Sequence, residues 1–305
     1  MQIYDLIIIG AGPAGITASV YAARKKLDFL VISLDIGGQT AWSGDIENYT
    51  GYQFITGPEL TQKFQEHMRK YGIALKENET VLELDRLGEV CSVKTNKAAY
   101  QSIAVIIASG KKSRELEVRG EKEFKNHGLT YCAICDGPLF ANKIVAVIGG
   151  GNSALDAALQ LIKIAKHVYI VNITDKLSGD AVMLQKISQS DNVTILNNYQ
   201  VTSVSGDKFV RTIKIKNKDE EKELAVEGVF VEIGLIPNST FAKNVAKNSS
   251  NEIIIDSFNQ TNIPGIFAAG DVTNVSQKQI IIAAGEGSKA ALSASGYLDQ
   301  KNLRK

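Results

Sequence analysis

The hydrophobic and polar positions at the start of the chain change period three times within forty residues. Tyr4-Asp5-Leu6-Ile7-Ile8-Ile9 is a nearly continuous apolar run, as expected of a strand buried on both faces. Gly10-Ala11-Gly12-Pro13-Ala14-Gly15 interrupts it. Apolar residues then recur with helical spacing through Ile16, Ala18, Val20, Ala22 and Ala23, and Leu27 to Ser33 reads as a second strand. Strand, glycine turn, helix, strand is a βαβ unit. The same succession returns much later: strand Ile144 to Ile148, turn Gly149-Gly150-Gly151-Asn152-Ser153-Ala154, helix Leu155 to Ile164, strand Val168 to Val171. Two such units this far apart predict two nucleotide-binding-type folds in one chain.

Between them the pattern predicts a helix from Pro58 to about Tyr71, strands near Thr80–Leu84 and Val90–Thr95, and a buried strand from Ile103 to Ala108. Beyond them, Ser203–Val204, Phe209–Ile215 and Leu224–Ile233 read as antiparallel strands, with the charged run Lys216 to Glu223 as a hairpin tip. The chain closes with a short strand, Ile266 to Ala269, then Gly270-Asp271 and a long helix from about Gln277 to Leu298.

Composition narrows the class. The 305 residues are 44% hydrophobic and 22% charged, with 26 Gly and 5 Pro, which excludes collagen-like and disordered chains. Lys and Arg number 34 against 33 Asp and Glu, so no global field exists to hold nucleic acid or an anionic membrane. The first ten residues lack the basic flank of a signal peptide, and no apolar stretch is long enough to span a bilayer. Three cysteines leave one outside any intramolecular pairing, which points to a reducing, cytoplasmic setting and to thiols kept for chemistry.

Gly10, Gly12 and Gly15 fit G-x-G-x-x-G after a strand and before a helix, the context that makes the pattern a dinucleotide cradle. Gly149, Gly151 and Ala154 fit the G-x-G-x-x-A variant, for which a plain structural turn stays open as an alternative. The rest of that fingerprint is missing. After Tyr169-Ile170-Val171 come Asn172-Ile173-Thr174-Asp175-Lys176, with no Arg and no acid directly at the strand end. The turn and its neighbours Asn152 and Ser153 read as a nucleotide site whose handles have been lost.

Cys132-Ala133-Ile134-Cys135 has the spacing of a reversible disulfide, which lowers the pKa of the attacking thiol; a buried structural pair is the plainer alternative. Zinc would need two further ligands in a second knuckle, and Cys91, His67, His127 and His167 share no motif, so no metal is expected. Asp136 follows the second thiol, placed to move protons. Cys91 lies in an alternating strand and reads as a small core residue.

Taken together, these motifs resemble the low-molecular-weight thioredoxin reductases, FAD-dependent dithiol–disulfide oxidoreductases, along nearly the whole chain. The matching residues are Gly10–Gly15, Gly37-Gly38-Gln39, Glu47-Asn48-Tyr49, Ala108-Ser109-Gly110 with Arg114, Cys132 through Gly137, Gly149–Ala154, Gly234 with Pro237, and Thr261 to Val272 followed by Gln279. The resemblance implies an α/β fold of two nested Rossmann-like domains. An FAD-binding domain, 1–112 and 245–305, would be interrupted by an inserted NAD(P)-binding-like domain, 113–244, that carries the disulfide and swings between two orientations. It assigns FAD to Gly10, Gly12, Pro13, Ala14, Gly15, Asp35, Gly38, Gln39, Asn48, Gly110, Gly270, Asp271, Gln279 and Ile280. Asp271 would take a ribityl hydroxyl, and Gln279 would open the closing helix beside the flavin N1–O2 edge. Cys135 would be the flavin-proximal thiol and Cys132 the one that attacks thioredoxin. A homodimer is likewise implied.

One departure changes the expectation for the electron donor. NADPH-dependent members carry His-Arg-Arg and a further Arg where this chain has Asn172, Ile173, Thr174 and Ser178. Neutral side chains cannot pair a 2′-phosphate bidentately. A branch of the family reduced by ferredoxin lacks these arginines, so ferredoxin is favoured over NAD(P)H. A ferredoxin near −400 mV lies about 130 mV below a thioredoxin disulfide, roughly 6 kcal/mol downhill for two electrons. The basic cluster Lys111, Lys112, Arg114 and Arg119 could meet an acidic donor, although a solvated hinge is its commoner meaning. The alternatives are a conventional NADPH- or NADH-dependent thioredoxin reductase and, from another class, a flavin-binding redox sensor or scaffold. An alkyl hydroperoxide reductase flavoprotein is not expected, because 305 residues leave no room for its additional N-terminal domain.

Overall fold

The computed structural model describes residues 2–43 and 45–301. The chain divides into two compact units, Met1–Lys112 with Ile236–Lys305, and Ser113–Leu235. The return to the first unit therefore falls at Ile236, nine residues before the expected 245. The displacement has a local cause. Asn238 is already bound into the first unit: its N–H reaches Gly110 O at 2.9 Å, its Nδ2 reaches Ser109 O at 2.9 Å, and Ser109 Oγ donates to its carbonyl at 2.6 Å.

The first unit is built on a seven-stranded sheet. Strand Ile3–Ala11 lies at its centre, parallel to Phe29–Ile36 on one side and to Ala99–Ile107 on the other. Leu6, Ile7 and Ile8 are wholly buried, as a strand covered on both faces requires. Ala99–Ile107 changes partners along its length. Its polar first half pairs antiparallel with Val90–Thr95, and its apolar second half pairs parallel with Ile266–Ala268. Helix Pro13–Arg24 packs beneath the sheet against the closing helix Ile280–Gln300.

The second unit contains a five-stranded, all-parallel sheet in the order Leu129–Thr130, Gly228–Val231, Ile144–Ile148, His167–Asn172, Val193–Asn197. A separate antiparallel sheet joins Gln200–Gly206, Val210–Lys216 and Glu221–Ala225. The expected single strand Leu224–Ile233 is thus two strands in two sheets. The break falls at Val226–Gly228. Val226 N still reaches Arg211 O in the antiparallel sheet, while Glu227 N turns to Ile144 O in the parallel one. Gly228 is required at the switch, since a Cβ there would lie 2.5 Å from the ring of Phe140. The charged run is also shorter as a tip than expected, because Glu221–Glu223 belong to the strand.

Candidate functional site

In the first unit Gly10, Gly12, Pro13, Ala14 and Gly15, expected to hold FAD, form one turn and the helix start that follows it. Gly10 has φ +108°, and a Cβ there would fall 2.3 Å from Ala108 O. Gly15 faces the Gly10 carbonyl so closely that a Cβ would lie 1.8 Å from it, which lets the helix sit directly on the strand end. Pro13 begins the helix, where its lost N–H costs nothing, and no side chain caps the helix N-terminus at Gly12. That leaves first-turn amides and the positive helix end available to an anion. A Cβ on Gly12 would meet nothing nearer than Gly37 O at 3.9 Å, and one on Gly38 would lie 3.4 Å from Gly12 Cα, so the two glycine turns face each other backbone to backbone.

Other elements complete the cradle. Asp35 is exposed near the end of the Phe29–Ile36 strand, with its carbonyl taking the Ser33 hydroxyl at 2.6 Å. Gln39 Nε2 donates to Lys111 O at 3.0 Å. Gly110 has φ +60°. Asn48 Nδ2 donates to Gln279 Oε1 at 3.1 Å, joining positions 231 residues apart. Gln279 is the N-cap of the closing helix and Ile280 its first residue, packed towards Ile46, Ile55 and Leu60. Gly270, at φ +75°, leads into Asp271, whose carboxyl is pushed up by burial and pulled back by Lys278 and Lys111. Two facing glycine turns, uncapped amides, a half-buried acid for a hydroxyl and a helix start beside an amide pair suit an adenine dinucleotide with a polyol arm.

Lys111 leaves the expected basic cluster. Its Nζ pairs with Glu252 Oε1 at 3.1 Å, and Lys278 Nζ meets the same oxygen at 3.1 Å, all three side chains being mostly buried. Burial resists ionisation of Glu252, yet hydrogen bonds from Asn248, Lys111 and Lys278 overcome it and hold the carboxyl down to about 2.

In the second unit, Cys132 follows strand Leu129–Thr130 and its N–H reaches Thr130 Oγ1 at 3.2 Å. Cys132 is disulfide-bonded, whereas Cys91 is a free and fully buried thiol. Cys135 lies on the short helix Ala133–Asp136, and its side chain falls outside the described ones. Asp136 ends that helix with its N–H on Cys132 O at 3.3 Å. The cysteine loop is anchored by its neighbour. Tyr131 Oη donates at 2.7 Å to the buried carboxylate of Glu121, which also accepts the N–H groups of Leu116 and Glu117 at 2.6 Å each. Burial, reinforced by that carboxylate, raises the Tyr131 hydroxyl far above its ordinary pKa. Burial also raises the Cys91 thiol, only partly offset by Arg86, so that thiol is a poor nucleophile. Among the described residues no group of His, Cys, Asp and Glu could hold a metal.

The second glycine turn keeps its shape. Gly149 has φ +138°, a Cβ on Gly151 would meet nothing within 4 Å, and helix Asn152–Ile162 starts with no side-chain cap at Gly151; Ala154 is buried beneath. The strand end is different. Asn172 is 4% exposed, and its Nδ2 lies within 3.2 Å of acceptors on Thr174, Lys176 and Asn197. Its Oδ1 takes the Thr174 N–H and hydroxyl, so both ends of the amide are spent on the loop. Asn152 Oδ1 accepts the Asp180 N–H at 2.7 Å, and the Ser153 hydroxyl donates to Glu232. Glu232 was not a sequence candidate. Its signal is an acid ending the buried run Gly228–Val231 directly opposite a glycine turn.

Comparison with known proteins supplies the family. The pyridine nucleotide-disulphide oxidoreductase profile matches residues 4–287. An NADH dehydrogenase of Ferdinandcohnia aciditolerans is 39% identical over 298 residues, and an alkyl hydroperoxide reductase component of Xanthomonas campestris pv. phaseoli is 41% identical over 304. Each match covers 97% of this chain. The chain spans only 57% of the length of these two relatives. Among solved structures, Lactococcus lactis thioredoxin reductase superposes with a TM-score of 0.92 at 35% identity, over 97% of this chain and 99% of that one. A ferredoxin-flavin thioredoxin reductase from Clostridium acetobutylicum gives 0.55 at 31%, over 97% and 98%. The chain belongs to the pyridine nucleotide-disulphide oxidoreductase family and has the two-Rossmann architecture of a thioredoxin reductase.

Proposed function

We propose that the protein is a flavoprotein disulfide reductase, in which the Cys132–Cys135 pair passes electrons to the disulfide of thioredoxin or a thioredoxin-like protein. The disulfide at Cys132, inside Cys-Ala-Ile-Cys-Asp-Gly and ahead of a short helix, is the observation that carries this reading. FAD, which Gly10–Gly15, Asp271 and Gln279 would hold, would supply a carrier that can be filled one electron at a time and emptied as a pair. The chain's own groups do the rest. With the pair reduced, the Cys132 thiolate attacks one sulfur of the partner's disulfide and releases the other as a thiolate. Cys135 then attacks Cys132 within the mixed disulfide, which frees the reduced partner and restores the internal bond. Two electrons leave the pair and two protons follow, with Asp136 next to Cys135 as the nearest acid in sequence to hold one. The cysteine variants test this reading. Cys132→Ser should abolish reduction of a thioredoxin while flavin binding persists. Unchanged turnover contradicts the proposal, and a wild-type protein that binds the partner without ever reducing it favours the sensor reading.

The proposed donor is a one-electron carrier of the ferredoxin class. The strand-end amide of Asn172 is committed to its own loop, and residues 172–180 offer no guanidinium for a 2′-phosphate. The 39% identical relative named NADH dehydrogenase favours a second reading, NADH as donor. Anaerobic mixing with NADPH or NADH while following flavin absorbance separates the two. Little bleaching at micromolar nucleotide is expected, and rapid bleaching contradicts the donor assignment.

A further inference from the structure

The first turn of helix Asn152–Ile162 has two polar side chains, and both are already used. Asn152 holds the Asp180 N–H, and Ser153, the hydroxyl nearest the glycine turn, is bound to the carboxylate of Glu232. Glu232 is fixed from both sides. Its N–H bonds Ile148 O at 2.8 Å, and its carbonyl lies so near Gly149 that a Cβ there would come within 2.1 Å of it. The backbone therefore sends the side chain out of the sheet at the mouth of the glycine turn, where the Ser153 hydroxyl holds its carboxylate. Dinucleotide cradles use this place, a glycine turn and uncapped amides at a helix N-terminus, to bind a pyrophosphate. The chain puts an anion of its own there.

We infer that Glu232 is a specificity-determining residue whose carboxylate, held by Ser153, excludes the pyrophosphate of pyridine dinucleotides from the second glycine turn. A carboxylate beside a diphosphate in a half-buried site is a like-charge contact with little solvent to screen it. It also consumes the Ser153 hydroxyl that would otherwise donate to phosphate. Burial, opposed by the Ser153 hydroxyl and reinforced by Asp156, pushes the Glu232 carboxyl up to about 7, so the group is ionised at pH 8. The inference deepens the donor assignment and rests on the reading that electrons do not enter through this turn.

The test uses the full chain with its flavin and two redox-inert probes, ADP-ribose and adenosine, by calorimetry at pH 8. Glu232→Gln keeps the shape and an acceptor for Ser153 but removes the charge. It should tighten ADP-ribose binding at least about tenfold, equivalent to about 1.4 kcal/mol, and leave adenosine unchanged. Glu232→Ala serves as a second variant and should show the same selective gain. A change in ADP-ribose affinity below about threefold in both variants overturns the inference. So does an equal gain for adenosine, which would mean that the residue acts by bulk. Failure of the donor reading looks different: NADH would bleach the wild-type flavin rapidly whatever the substitution at 232 does to binding.

Discussion

Ala14 and Gly287 meet so closely that a Cβ on Gly287 would lie 2.0 Å from the Ala14 carbonyl oxygen. The contact sets the closing helix directly on the first turn of the Pro13–Arg24 helix. Gly270 leaves room on another side, where a Cβ would lie 2.9 Å from the Ala14 side chain. Two glycines near the end of the chain, Gly270 and Gly287, thus fix the position of one small residue within the glycine fingerprint.

Gly287→Ala should accordingly destabilise the protein by about 2–3 kcal/mol and lower the flavin retained on purification, because backbone rather than a flexible side chain must yield. Gly285→Ala is the control. A Cβ there meets nothing within 4 Å, so the helix should gain about 1 kcal/mol from propensity alone. Thermal melts and the flavin-to-protein absorbance ratio of the two variants check this pair.

The Glu252 cluster should give the first unit an acid-sensitive step. Its carboxyl is held at about 2, below the ordinary 4.5, so the stabilisation is complete above pH 4.5 and is lost as the pH falls from there towards 2. Glu252→Gln should flatten this part of the melting-temperature profile. A variant whose profile follows the wild type between pH 5 and pH 3 would show that ionisation of Glu252 contributes nothing to stability in this range.

Removing the Tyr131 hydroxyl leaves the buried Glu121 carboxylate with one donor fewer. Tyr131→Phe should therefore cost about 1–3 kcal/mol of stability, read by chemical denaturation with the disulfide oxidised. No loss would mean that the cysteine loop is not anchored through Glu121.

Ile173 is 71% exposed, and Ser178 touches Gly150 chiefly through its backbone N–H, at 2.7 Å. Both positions can take a longer side chain. The double change Ile173→Arg and Ser178→Arg, made with Glu232→Gln, should favour 2′-phospho-ADP-ribose over ADP-ribose by about tenfold, as a paired guanidinium site would. Equal affinities would show that the loop cannot present a guanidinium to the ligand.

The two glycine turns and the cysteine motif were legible because each is local: a few residues of fixed type between elements of clear period. Nesting was legible through the family resemblance and not through periodicity. The strand break at Val226–Gly228 was hidden because the apolar pattern resumes at once on either side of Glu227, and a lone acid and glycine read as an ordinary outward position in one strand; Phe140, packed against Gly228, explains the glycine. Lys111 looked like part of a basic patch because its partner Glu252 lies 141 residues away. Glu232 was hidden for a similar reason. Its meaning depends on Ser153, a neighbour supplied by the fold and not by the sequence around it.

The most direct measurement of the central claim is an anaerobic dithionite titration of the purified flavoprotein. The wild type should consume about two electron pairs per chain before the flavin is fully bleached, one for the flavin and one for the Cys132–Cys135 disulfide. The Cys132→Ser, Cys135→Ser double variant should consume about one. A wild type that bleaches after a single pair, indistinguishable from the variant, would contradict electron transfer between the flavin and these cysteines.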